Sequence, residues 1–114
     1  MGIDPGSSVT GFGVVDRDGA AVRHVAHGTL RPPRGADLAL RLGRLLAGLG
    51  ELLEVHRPDV VVVERVFVAA SPRSALVLGQ ARGVALATAA SHALPVKEYA
   101  ASQIKQRRRA TRRP

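Results

Sequence analysis

The spacing of apolar and polar positions along this chain outlines a succession of three strands, then helices alternating with strands. Gly2 to Asp4 reads as a short strand, and Pro5-Gly6-Ser7-Ser8 is turn chemistry, with proline presetting φ and glycine supplying freedom. Val9 to Asp16 alternates in part and carries Phe12, Val14 and Val15, which predicts a second strand. Asp16-Arg17-Asp18-Gly19 then reads as a hairpin turn into a third strand, Ala21 to Leu30. After the loop Arg31-Pro32-Pro33-Arg34-Gly35, leucines at 38, 42, 45, 46, 49, 52 and 53 recur at spacings of three and four. They predict an amphipathic helix that ends near His56, before Arg57-Pro58.

The run Asp59 to Glu64 contains four consecutive valines, the pattern of a strand buried on both faces. A strand entered from a helix in this way points to a parallel crossover. Ser71-Pro72 supplies an N-cap followed by proline at the first helical position, opening a helix to about His92. Leu94 to Tyr99 is a short final strand, and Ala100 to Gln106 starts a third helix. The order β-β-β-α-β-α-β-α predicts an α/β chain of the ribonuclease H-like class. That class is a mixed sheet, with its first three strands antiparallel and helices on both faces.

Composition narrows the partners. The chain has 114 residues, enough for one compact domain, with 46% hydrophobic residues but only 3% aromatic ones. The core is therefore aliphatic. Cysteine is absent, which removes disulfides and thiolate metal sites and fits a reducing, cytoplasmic setting. The opening MGIDPGSS lacks the basic and apolar regions of a signal peptide, and no apolar run is long enough to span a bilayer. The net charge of +8 points to a polyanion, yet five arginines lie in RRRATRRP; without them 12 basic residues face 9 acidic ones, a balance of +3. Charge alone does not assign a nucleic-acid function.

Two acids carry the candidate chemistry. Asp4 closes an apolar strand and is followed by glycines at 6, 11 and 13, which allow close approach of a phosphate or metal to the backbone. The blander reading is that Asp4 caps a turn. Glu64 ends the valine strand, where a carboxylate needs a partner, water or a cation; Arg65 beside it offers a solvent-facing ion pair. If the first and fourth strands are neighbours, the two carboxylates end side by side and favour a hard divalent cation such as Mg²⁺. Magnesium held by carboxylates and substrate phosphate is an apparatus for phosphodiester hydrolysis. His24, His27, His56 and His92 show no ligand spacing and read as surface residues.

The strings GIDPGSSVTGFGVV, VVVERVF, SALVLGQARGVA and LPVKEYAASQIKQ, in this order, resemble the RuvC family of crossover-junction endonucleases over residues 1–106. GIDPG by itself is shared with actin-like ATPases; GQARGVA and EYAASQIKQ make the resemblance specific. It implies a Mg²⁺-dependent enzyme, with two ions in the complete site, that resolves Holliday junctions in DNA recombination and repair. It also implies a homodimer, because both strands of a four-way junction must be nicked, and a branch-migration helicase as partner. Asp4 and Glu64 match the first two of the family's four metal-binding acids. Phe67 matches an aromatic that stacks on unpaired bases at the junction centre, against the alternative of folding back onto the second helix. Lys105 matches a basic position near the DNA, and Arg73 a phosphate contact. GQARG reads as mainly structural, with Gln80 and Arg82 as further contacts. The small residues Gly79, Ala81, Gly83 and Ala85 mark part of the dimer interface.

The family's pattern continues past residue 106 to a final helix with two more aspartates, whereas here no acid follows Glu98. The expectation is a nuclease domain over 1–106, incomplete at its C-terminus, with residues 107–114 an arginine-rich, disordered tail foreign to the family. Such a tail is what a shifted reading frame produces in GC-rich DNA. Low activity is expected, and the competing reading is a junction-binding module without catalysis. An actin-like nucleotide-binding fold needs two lobes, which 114 residues do not build.

Overall fold

The computed structural model describes residues 1–6, 8–65 and 71–100. The elements follow the order β1 (Gly2–Asp4), β2 (Thr10–Asp18), β3 (Ala21–Leu30), α1 (Leu38–His56), β4 (Val61–Arg65), α2 (Pro72–Ser91) and β5 (Val96–Ala100). They form a five-stranded sheet in the order β3-β2-β1-β4-β5. β1, β2 and β3 pair antiparallel, while β4 runs parallel to both β1 and β5. This is the mixed sheet that the element order predicts. The expected third helix, and the tail beyond it, lie outside the described residues.

The hairpin is longer than the sequence implies. β2 and β3 stay paired to Asp18–Ala21, so the loop is Gly19-Ala20 alone. Gly19 takes a φ of 61°, the positive value at the first loop position that matches the twist of the strands. Arg17 and Asp18 look like turn residues but serve as strand. A register shift between Val14 and Val15 bulges the ladder, and beyond it the hairpin outruns the helices, leaving Val15, Val22 and Val25 exposed.

Both helices carry sequence-coded ends. Asp37 caps α1 by accepting from the Leu40 N–H at 2.8 Å, and Arg57 closes it in a left-handed conformation, its N–H bonded to the Leu53 carbonyl. Ser71 caps α2 by accepting from the Ser74 N–H at 3.1 Å, with Pro72 in the first turn.

One face of the sheet holds the core. Met1, Ile3, Val14, Val61 and Val63 pack with Leu45, Leu49 and Leu53 of α1 and Ala81, Ala85 and Ala89 of α2. The fourfold alanine spacing lets α2 lie close against α1 and the sheet. That packing divides the small-residue stripe expected to meet a second copy. Ala81 and Ala85 are spent in the core, while Gly79 and Gly83 stay at the surface.

The valine strand is sealed on one side only. Val61 and Val63 are fully buried, but Val60 and Val62 are half-buried, because among the described residues no helix covers the second face. No helix among the described residues is long and apolar enough to cross a membrane.

Candidate functional site

The uncovered face is where the two predicted acids meet. β1 and β4 pair with Gly2 opposite Val62 and Ile3 opposite Val63. The next position along each strand is Asp4 and Glu64. Both therefore lie at the carboxyl ends of neighbouring parallel strands, which run about 4.8 Å apart. Strand alternation sends Ile3 and Val63 into the core and leaves Asp4 and Glu64 on the opposite face, with Asp4 exposed and Glu64 half-buried. Both line one open groove together with Gly2, Gly11, Gly13 and Val62.

The groove floor is clear because three glycines share it. Asp4 pairs with Gly11 and Gly2 with Gly13 across the β1–β2 ladder. A Cβ on Gly13 would touch nothing within 4 Å, and one on Gly11 would meet only Asp4 Cβ at 3.9 Å. Packing within the protein does not demand glycine at either position. Their effect is to leave bare backbone beside the carboxylates. At the other end of the groove, the Met1 amino group donates to the Val60 carbonyl at 2.8 Å. Burial lowers its pKa from the ordinary amino range, with the Asp59 carboxylate opposing.

Arg65 does not neutralise Glu64. It points to the other face, 3.6 Å from Glu98 of β5, and Glu98 also pairs with Arg82 of α2. Arg82 of the GQARG segment thus fastens α2 to the sheet, as the structural reading of that segment predicts. Gln80 is half-buried, with its amide oxygen lacking a hydrogen-bond partner among the described residues. Among the described residues, Glu64 and Asp4 have no side-chain ion pair or hydrogen bond.

Arg73 lies exposed in the first turn of α2, the helix that follows β4, and so belongs to the same end of the sheet as Glu64. Phe67 and Lys105 fall outside the described residues. Among the described residues no group of three or more His, Cys, Asp or Glu side chains gathers as a metal cage. Two carboxylates on an open face nevertheless suit Mg²⁺, which keeps several waters and takes one or two carboxylates plus substrate phosphate. His24 and His27, both exposed, approach each other at 2.9 Å on β3, a contact their sequence spacing did not announce.

Comparison with known proteins gives a consistent result. The family model "Crossover junction endodeoxyribonuclease RuvC" matches residues 1–110. A protein of that description from Halorhodospira halophila is 56% identical over 106 residues, covering 93% of this chain and 63% of the relative. One from Neisseria meningitidis serogroup A is 51% identical, covering 93% of this chain and 60% of the relative. Among solved structures, Thermus thermophilus RuvC in complex with a Holliday junction substrate superposes with a TM-score of 0.84 at 33% identity. That match covers 92% of this chain and 67% of that one. The chain thus spans less than two thirds of the length of these curated relatives.

Proposed function

Because the chain belongs to the RuvC family of crossover junction endodeoxyribonucleases, we propose that it is a structure-selective nuclease that resolves four-way junction DNA by Mg²⁺-dependent phosphodiester hydrolysis. The observation that carries this reading is the Asp4–Glu64 pair, side by side on a glycine-floored face and without a side-chain ion pair or hydrogen bond among the described residues. Support for the substrate comes from the similar Thermus protein, whose structure holds a Holliday junction.

In this reading Asp4 and Glu64 hold the divalent cation, and two ions occupy the complete family site. When bound, such a cation neutralises charge at the scissile phosphate and acidifies the attacking water. The rest falls to the chain's own residues. The two carboxylates fix where the phosphate stops, and Gly2, Gly11 and Gly13 let the sugar-phosphate backbone approach the sheet. Arg73 meets a neighbouring phosphate, which positions the strand without reading its sequence. By family resemblance Phe67 stacks on an unpaired base, worth roughly 1–3 kcal/mol, and Lys105 adds a basic contact. A homodimer presents two such sites to the two strands to be cut; a branch-migration helicase is its partner, in the cytoplasm.

A second reading, a junction-binding module without catalysis, is favoured by the absence of a third metal-ligating side chain beside the pair among the described residues. Incubation of the purified protein with a synthetic four-way junction and Mg²⁺, beside linear duplex of the same sequence, separates the two. Paired symmetric nicks confined to the junction support the nuclease. Junction-selective binding without nicks supports the module, and equal affinity for both DNAs refutes both.

A further inference from the structure

Positive charge gathers beyond the end of β3, at the site's end of the sheet. Beside the start of α1 a small cleft is lined by Ser8, Arg31, Pro32, Arg34, Gly35 and Arg41, and no acidic side chain contributes to it. Arg31 and Arg34 are exposed and make no side-chain hydrogen bond or ion pair among the described residues. The nearest acid in the chain, Asp37, is already engaged, its carboxylate accepting the Leu40 N–H. With a balance of only +3 in residues 1–106, Arg31 and Arg34 together in a cleft with no acidic lining residue are a local concentration rather than a share of a uniformly basic surface. The backbone is also held. Arg31 precedes Pro32-Pro33, a sequence that restrains its backbone to an extended conformation.

The sheet fixes where this cleft lies relative to the acids. Asp4 pairs with Gly11, and Gly11 with Thr29. Arg31 stands two residues beyond Thr29, one past the end of β3, the strand two places from β1. Two strand spacings across and two residues along put the Arg31 and Asp4 backbones roughly 12 Å apart. At about 3.4 Å of rise per nucleotide in one strand, that is roughly three to four nucleotides. Guanidinium groups take phosphate oxygens through paired N–H donors, and the Ser8 hydroxyl adds another donor.

We propose that this cleft holds a backbone phosphate of the bound DNA, roughly three to four nucleotides from the bond at Asp4 and Glu64 and on the β3 side of the site. The proposal rests on DNA being the substrate. The cleft contributes affinity that is indifferent to base sequence, and sets the path of the strand leaving the carboxylates.

The test is the salt dependence of binding to plain duplex, which needs no junction recognition, measured without divalent cation. The full chain is compared with an Arg31→Gln/Arg34→Gln variant and with an Arg23→Gln/Arg44→Gln variant of equal net charge, whose residues line neither the cleft nor the groove of the carboxylates. Both pairs are exposed, so folding is preserved and is checked by thermal melting. Loss of one phosphate contact lowers the slope of log K against log salt by about 1. The expected result is that loss in the first variant and an unchanged slope in the second. Equal slopes in all three proteins, equal losses in both variants, or no DNA binding by the parent would overturn the proposal. Junction preference over duplex, scored in parallel, reports on the nuclease reading independently: it can fail while the duplex slope still drops.

Discussion

Arg65 reaches across to Glu98 on the neighbouring strand, 3.6 Å away, on the opposite face of the sheet from its chain neighbour Glu64. The cause is the period of two in a β-strand, which separates consecutive side chains. Glu98 then serves two arginines, because Arg82 of α2 meets it as well. Arg82 thereby ties α2 to the sheet, and Arg65 ties β4 to β5. Glu64 is left, among the described residues, beside Asp4 with no direct ion pair to either carboxylate.

The shared acid on the helix-covered face should matter for stability. Glu98→Ala strands Arg82, whose side chain is only 21% exposed, and should cost about 2 kcal/mol in urea unfolding. Arg65→Ala removes the outer partner, which is 51% exposed, and should cost less than about 1 kcal/mol. Equal costs would mean that Arg82 finds other compensation.

Gly13 separates folding from function. A Cβ there meets no atom within 4 Å, and valine replaces a weak strand residue by a strong one. Gly13→Val should therefore leave stability unchanged or raise it by about 0.5–1 kcal/mol. The same side chain stands on the groove floor beside the carboxylates, so junction cleavage should fall at least about tenfold, or roughly 1.4 kcal/mol. Thermal melting and single-turnover nicking, measured on one preparation, check both halves.

Gly6 answers to a different constraint. A Cβ there would collide with the Val9 carbonyl, which cannot yield as a side-chain tip does. Gly6→Ala should distort the turn that follows Asp4, at a cost of about 1–3 kcal/mol in stability. Gly11→Ala, whose Cβ would make only ordinary contact with Asp4, serves as the control and should unfold at nearly the parent's urea concentration.

Much of the fold was legible because its signals are local. Asp37 and Ser71 mark helix starts by their capping oxygens, and the leucine spacing of α1 declares its buried face. The adjacency of Asp4 and Glu64 followed once the first and fourth strands were taken as neighbours. Legibility failed where the deciding partner is remote in sequence. Arg65 looked like a partner for Glu64, but its true partner lies on β5, and the valines of β4 looked buried twice although only Val61 and Val63 are sealed. Arg17 and Asp18 carry turn chemistry, yet continued pairing with β3 keeps them in strand. The arginine cleft joins residues 8, 31, 34 and 41, and no local pattern announces it. Phe67, Lys105 and the third helix lie outside the described residues, so those expectations rest on family resemblance.

The central claim is that Asp4 and Glu64 act as one metal-dependent unit, and the most direct test is a cycle of Asp4→Asn, Glu64→Gln and the double variant in Mg²⁺-dependent nicking of a four-way junction. Each single change should lower the rate by about 100-fold or more, roughly 3 kcal/mol of transition-state stabilisation. The double variant should be little worse than either, because half a binding unit is nearly as inactive as none. Junction binding without Mg²⁺ should persist in all three variants. Wild-type nicking rates in either single variant, or losses that simply multiply in the double, would contradict the account.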